Sequence, residues 1–188
     1  MKRVDNYLIG RKCGMIEPLY NEEGRLCSIV FEGKRAFIVN QSPKKLIENS
    51  LLDYGTNYIG ATKSAKSLLG NICMPPIMLC STLDLYWFPS VSPDRDDCYW
   101  FSLTHIDDLE RMNEKRTKVI MKSGHSITID VNYYRFRSKW HLAMQLKYEI
   151  DKTNRRPITL LYYPNRRYTY KKQRRVKNYI IRKRGGKK

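Results

Sequence analysis

The chain has 188 residues, of which 41% are hydrophobic and 29% are charged, and its formal net charge is +18. This length suits one well-buried domain, and the apolar content predicts a folded core rather than a disordered chain. No apolar run reaches transmembrane length and no secretory leader opens the chain, so we expect a soluble, cytoplasmic protein without a membrane partner. The five cysteines are widely spread and include no CxxC pair, which favours reduced thiols over a disulfide framework or a zinc site.

The first part of the chain predicts strands. Residues 13–20 have the composition of a strand, and Pro18 would confine that strand to a sheet edge because proline cannot donate a ladder hydrogen bond. Residues 26–31 and 35–39 flank Gly33, a pattern that predicts a β-hairpin.

Two helices are predicted next, each with start and stop signals. Ser42 suits the N-cap position, Pro43 suits the first helical position, and Gly55 supplies the end. A second helix is predicted over residues 58–69, where Gly70 follows.

Short strands dominate the middle of the chain. Residues 77–80, 83–88 and 98–104 are apolar runs bounded by turn residues, which is typical of buried strands. Residues 117–121 and 126–131 alternate in polarity around Ser-Gly, which is the strongest hairpin signal in the sequence.

The longest predicted helix covers about residues 133–151. Phe136, Trp140 and Ala143 share its apolar face, whereas Arg137 lies elsewhere on the helix surface. We therefore predict an α+β fold, a single domain with an antiparallel, strand-rich core, about four helices and a basic C-terminal segment.

The positive charge is concentrated at the end of the sequence. Residues 152–188 contain 15 Lys and Arg and no Asp or Glu, so residues 1–151 carry only +3 of the total. We accordingly separate an α+β core, residues 1–151, from a highly basic segment, residues 152–188. Tyrosines are interleaved with the cations of this segment. Cations neutralise phosphates and tyrosines stack on bases, so the composition is typical of a nucleic-acid binder.

Two patterns predict structure within the basic segment. Residues 158–163 form a compact apolar run that suits a short strand. Val176, Tyr179 and Ile180 have helical spacing, so we expect the segment to be partly helical and to pack on the core.

Four motifs follow one another in the middle of the chain. They are Gly55-Thr-Asn-Tyr58-Ile-Gly60, Pro75-Pro76-Ile77-Met78, Phe88-Pro89-Ser90-Val-Ser92 and Cys98-Tyr-Trp100-Phe-Ser102-Leu-Thr-His105. Their order and spacing, over roughly residues 46–131, resemble the ComK family, the competence transcription factors of Gram-positive bacteria. Where that family often has a basic pair after the first motif, this chain has Ala61-Thr62 and places its cation at Lys63.

The resemblance implies a sequence-specific, DNA-binding transcriptional activator that needs no cofactor. It implies binding to double-stranded DNA at paired A/T-rich boxes, largely through the minor groove, by a homo-oligomer (dimer or tetramer) that switches on DNA-uptake genes. RNA polymerase and a degradation adaptor are the further partners to consider. A basic chain suits this function because the narrow minor groove of A-tracts is electronegative and attracts Arg and Lys.

We predict that DNA is contacted by cations in and near the basic segment. Arginine is favoured over lysine because its guanidinium group is more weakly hydrated and loses less on entering a narrow groove. The candidates are Arg155, Arg156, Arg166, Arg167, Lys171, Lys172, Arg174, Arg175, Lys177, Arg137 and Lys63.

Two other classes of function stay open at this point. The basic segment also suits a non-selective RNA- or ribosome-associated protein, because phosphates carry no sequence information. A metal-dependent nuclease would need clustered carboxylates such as Asp94, Asp96 and Asp97, but a turn-rich loop explains these residues more simply. The sequence contains no nucleophile elbow and no phosphate-binding glycine loop, so we do not expect an enzyme.

Overall fold

The structure of the chain is a computed structural model that describes residues 1–154, 168–172 and 179–183. The chain divides into two units, Met1–Asp151 and Lys152–Lys188. The described residues form three sheets and three α-helices, which confirms the α+β class. The fourth predicted helix is not found among them.

Two sheets make up the strand-rich part of the first unit. The larger contains β1 (Arg3–Val4), β2 (Cys13–Tyr20), β3 (Leu26–Glu32), β4 (Arg35–Val39), β5 (Ile77–Cys80), β6 (Leu85–Pro89) and β7 (Trp100–Ser102). Its spatial order is β1-β4-β3-β2-β7-β6-β5, and the one parallel pair is β1 with β4. A one-turn 3₁₀ helix, Leu103–His105, leads to the smaller sheet. That sheet contains β8 (Ile106–Arg111), β9 (Thr117–Met121) and β10 (Ser126–Ile129), in the order β10-β9-β8.

The three helices begin and end largely where the sequence predicts. They are α1 (Pro43–Asp53), α2 (Tyr58–Leu69) and α3 (Tyr133–Asn154). The Ser42 hydroxyl caps α1 by accepting a backbone N–H at 3.3 Å, and the Asn57 side chain caps α2 in the same way at 2.8 Å. Gly55 and Gly70 follow these two helices with φ of +79° and +93°, a left-handed region that glycine enters without strain.

Both faces of the seven-stranded sheet are covered, which explains its continuous apolar strands. On one face Trp87 packs in a cluster with Leu46 of α1. On the other face Phe88 and Phe101 pack against Phe136 of α3, with the Phe101 and Phe136 ring centroids 5.1 Å apart in an edge-to-face arrangement. Because neighbouring residues of β6 enter different clusters, that strand is buried along its whole length.

The prediction that Pro18 places β2 at a sheet edge is wrong. β2 lies between β3 and β7, near the middle of the seven-stranded sheet. However, β7 is short and pairs with β2 only at Met15 and Ile16. The half of β2 that holds Pro18 therefore has only β3 beside it, and the strand tolerates the proline there.

After the last residues of α3, the described part of the second unit is a two-stranded antiparallel ladder. It contains β11 (Tyr168–Lys172) and β12 (Tyr179–Lys183), and Tyr168 lies opposite Lys183. The helical interpretation is therefore wrong at Tyr179 and Ile180, where adjacent aromatic and β-branched residues favour a strand. Val176 and the predicted strand at residues 158–163 lie outside the described residues. The packing of this segment on the core stays a prediction.

The cysteines are not paired in disulfides. All five are free, and Cys13, Cys27 and Cys98 are buried. Across the described ranges, no helix combines the length and the apolarity that a bilayer span requires.

Candidate nucleic-acid interface

Four of the eleven predicted DNA contacts lie within the described residues. Lys63 is exposed on α2 and Arg137 is exposed on α3, and the side chain of neither forms a hydrogen bond or an ion pair with another described residue. Lys171 and Lys172 belong to β11. The other seven fall outside the described residues: Arg155, Arg156, Arg166, Arg167, Arg174, Arg175 and Lys177.

The position of Lys63 follows from the packing of α2. Ala61 is only 8% exposed and belongs to the core cluster beneath α1. A cation at position 61 would therefore lose its hydration, whereas Lys63, two residues further along the helix, is exposed. On α2, position 63 faces solvent and position 61 faces the core, which explains why the cation occurs at Lys63 and not at Ala61.

The structure brings together a group of cations that the sequence analysis did not select. They line an open groove of about 1400 Å³ between the β8–β9 turn, the loop after β6 and the first turns of α3. Glu114 and Asp130 are the acidic residues of its lining. We name this feature the basic groove, and its six cations are Arg95, Arg111, Lys115, Arg116, Arg135 and Lys139.

The β8–β9 turn, which together with the last residue of β8 supplies three of the six cations, is held by one asparagine. The side-chain oxygen of Asn113 accepts hydrogen bonds from the backbone N–H groups of Lys115 and Arg116, at 2.9 and 2.8 Å. Asparagine is a favoured turn residue because its side chain satisfies backbone groups two or three residues further along. The turn therefore presents Arg111, Lys115 and Arg116 at one end of the small sheet.

Asn132 joins this turn to the start of α3. Its side-chain oxygen accepts the N–H groups of Tyr134 and Arg135, at 3.0 and 3.3 Å, and so caps the helix. Its amide nitrogen donates to the backbone carbonyl of Glu114 at 2.7 Å. The two walls of the basic groove are thus connected by one neutral side chain.

Two of the six cations are neutralised by neighbouring carboxylates. Arg95 donates two hydrogen bonds to Asp97, at 2.8 and 2.6 Å, and Arg116 donates to Asp130 at 2.7 Å. The remaining four have no carboxylate partner in the part of the chain that the structure describes: Arg111, Lys115, Arg135 and Lys139. The groove therefore has an excess of positive charge.

Arg111 is positioned by an exposed aromatic ring. Its guanidinium carbon lies 5.7 Å from the centroid of the Tyr134 ring, which is within the range of a cation–π interaction. Tyr134 is 61% exposed at the start of α3. This contact orients the guanidinium without neutralising it.

Lys139 is the least hydrated cation of the groove. Its side chain is half-buried, and its Nζ lies 3.7 Å from the sulfur of Met74, a weak acceptor. Burial lowers the pKa of the Lys139 ammonium group below its ordinary value. A charged Lys139 is thus poorly solvated, and an anion beside it would be held strongly.

Part of the basic groove could have been found from the sequence. Arg135 and Lys139 are four residues apart and so lie on one face of a helix, whereas Arg137 lies on another and is absent from the lining. The spacing therefore favours Arg135 and Lys139 over Arg137 as a pair. Their proximity to the β8–β9 turn depends on the tertiary fold, and no local signal predicts it.

The carboxylates considered for a nuclease have protein partners. Asp94 forms an ion pair with Lys44 at 2.6 Å, and Asp96 accepts a hydrogen bond from the hydroxyl of Tyr20. Asp97 binds Arg95, as described above. Among the residues that the structure describes, no group of three or more His, Cys, Asp or Glu could hold a metal ion.

A comparison with protein families matches residues 4–155 to a model described as ComK protein. The chain belongs to this family. The match confirms the resemblance carried by the four sequence motifs and extends it to nearly the whole of the first unit, including every residue of the basic groove.

A curated relative agrees with this assignment. It is the competence transcription factor of Bacillus subtilis (strain 168), which is 24% identical to the chain over 125 residues. The alignment covers 66% of this chain and 65% of the relative, so the chain spans a little less than two thirds of the relative's length. No solved structure matches the chain.

The family match ends just after α3. Of the 15 cations in residues 152–188, only Lys152 and Arg155 lie within it. The charge that dominates the sequence is therefore largely outside the part of the chain that defines the family.

Proposed function

We propose that this protein is a DNA-binding transcriptional regulator that activates DNA-uptake genes. The observation that carries the proposal is the ComK family match over residues 4–155, together with a relative whose name is competence transcription factor. The proposal extends to this chain the activity that the name gives to the relative.

The distribution of charge supports DNA as the ligand. The segment of residues 152–188 has 15 cations and no acid, and the first unit collects six of its cations in one groove. Each cation that neutralises a phosphate releases a condensed counterion, which is the main source of affinity in sequence-independent binding. The eleven cations predicted from the sequence remain proposed DNA contacts.

Selectivity is the finer part of the proposal. The protein binds two A/T-rich boxes through the minor groove, because narrow A-tract grooves concentrate negative potential and favour arginine. Paired boxes require paired protomers, so the binding species is a homo-oligomer. RNA polymerase and a degradation adaptor are its proposed protein partners.

A competition assay tests this function. The full-length protein is bound to a labelled duplex with two A/T-rich boxes, and an unlabelled A/T-box duplex, a G/C duplex or a structured RNA is added at one salt concentration. We expect the A/T-box duplex to compete at a far lower concentration than the other two. Equal competition by RNA would instead favour the non-selective RNA-associated alternative, and Mg²⁺-dependent cleavage of the probe would favour a nuclease.

A further inference from the structure

The basic groove holds more positive charge than the small net charge of the first unit would predict. Residues 1–151 carry a net charge of only +3, yet six cations and two acids line this one groove. Four of the six cations have no carboxylate partner among the described residues. Clustered cations repel one another, so such an arrangement is costly unless an anion binds there.

The range of the family match is an independent argument for a DNA contact in the first unit. Thirteen of the 15 cations of residues 152–188 lie beyond residue 155, where the match ends. If the family's activity resides in the residues that define the family, the matched residues contact DNA. The basic groove lies entirely within them.

We propose that the basic groove binds the phosphodiester backbone of the DNA duplex, with Arg111, Arg135 and Lys139 as the phosphate partners. This inference rests on the proposed function and adds the site to it. Arg116 forms an ion pair with Asp130, and Arg95 forms one with Asp97. These two cations are therefore neutralised within the protein and are not assigned as phosphate partners.

The dimensions and openness of the groove suit a polymer rather than a small anion. A groove of about 1400 Å³ is larger than most small-molecule pockets, and it is bounded by two exposed elements, the β8–β9 turn and the start of α3. A duplex carries about one negative charge per 1.7 Å of its axis, so several phosphates can meet several cations at once.

The three phosphate partners have different physical roles. Arg111 and Arg135 provide planar guanidinium groups that can each donate two parallel hydrogen bonds to phosphate oxygens. Lys139 is a compact charge in a half-buried position, where the low local dielectric strengthens its attraction to a phosphate. The Arg111 guanidinium carbon lies 5.7 Å from the centroid of the Tyr134 ring, and this contact restrains the side chain. Arg111 therefore loses less conformational entropy when it binds a phosphate.

The test uses the full-length protein and a matched control. One variant combines Arg111→Gln, Arg135→Gln and Lys139→Met, and the control combines Lys12→Gln, Lys34→Gln and Lys45→Gln, three exposed lysines outside the groove. Both variants lose three positive charges. Affinity for the labelled A/T-box duplex is measured by fluorescence anisotropy over a range of salt concentrations, and thermal melts establish that both variants fold.

The salt dependence of binding decides the outcome. Each phosphate contact contributes about 0.9 to the slope of log K against log salt, so the groove variant should have a slope flatter by roughly 3. The control should keep the slope of the parent. If the triple variant does not fold, Lys139→Met alone should flatten the slope by about 0.9.

Three results would overturn the inference, and they are distinguishable. If the parent binds the duplex and the groove variant has the same slope as the control, the groove is not the contact and the proposed function survives. If the parent does not bind the duplex at all, the proposed function and the inference fail together. Weakened binding to a structured RNA with unchanged binding to the duplex would also reject DNA as the ligand of the groove.

Discussion

Neutral side chains, rather than ion pairs, fix the shape of the basic groove. Asn113 closes the β8–β9 turn, and Asn132 binds that turn to the first turn of α3. The Arg116–Asp130 pair contributes less, because its side chains are 57% and 78% exposed and exposed ion pairs are weak and screened by salt. The groove should therefore keep its shape across the salt range in which DNA binding changes.

Replacing Asn132 by Ala tests this role of a single residue. The change removes the helix cap and the bond to the Glu114 carbonyl, so we expect the free energy of unfolding to fall by about 1–2 kcal/mol. Asn132→Asp is the control, because aspartate still caps the helix but cannot donate to the carbonyl. Urea denaturation should rank the parent above Asn132→Asp and Asn132→Asp above Asn132→Ala. If Asn132→Ala unfolded at the parental urea concentration, the assigned role of this side chain would be wrong.

At the scale of secondary-structure elements, the sequence predicted those features that depend on residues close together in the chain. The cap at Ser42, the glycines that follow α1 and α2, and the β9–β10 hairpin all depend on residues within a few positions of one another. The central position of β2 could not be predicted from Pro18, because it depends on where β7 ends. β8 was not predicted at all, since its sequence Ile-Asp-Asp-Leu-Glu-Arg lacks a simple alternation of apolar residues.

The junction between the two sheets contains a tight contact that can be tested. Gly14 lies in β2, where the register with β3 shifts. A Cβ atom at this position would lie 3.2 Å from the Cβ of His105 and 3.2 Å from the Cε of Met121. Gly14→Ala should therefore overpack the core and destabilise the protein by about 1–3 kcal/mol.

Gly10→Ala provides the matched control for this change. A Cβ atom at Gly10 would meet no heavy atom within 4 Å, so this variant should melt close to the parent. The comparison is made by thermal denaturation of both variants. A Gly14→Ala protein as stable as Gly10→Ala would show that β2 and the Leu103–His105 turn can separate at little cost.

At the scale of the whole molecule, positive charge occurs in two places of different kinds. The segment of residues 152–188 has a high density of cations along the sequence, which composition alone reveals. The basic groove instead collects cations from positions 95, 111–116 and 135–139, which only the fold brings together. Sequence reasoning therefore found the first candidate site and missed the second.

The contribution of the basic segment can be measured separately. Replacing Arg166, Arg167, Lys171, Lys172, Arg174, Arg175 and Lys177 by Gln in the full-length chain removes seven positive charges. If these side chains neutralise phosphates, the slope of log K against log salt should flatten by about 0.9 for each phosphate that is no longer neutralised. The stability of the first unit, followed by its thermal melt, serves as the control. An unchanged slope would show that the segment does not bind the DNA backbone.

The central claim is that the protein recognises paired A/T-rich boxes on one duplex, and box spacing tests it most directly. Affinity is measured for duplexes in which the spacer between two boxes is lengthened by half a helical turn, about five base pairs, or by a full turn. Two joined protomers meet both boxes only on the same face of the DNA. We therefore predict weak binding at the half-turn insertion and recovery at the full turn. Equal affinity for both spacings and for a G/C duplex would contradict the claim and indicate a non-selective nucleic-acid binder.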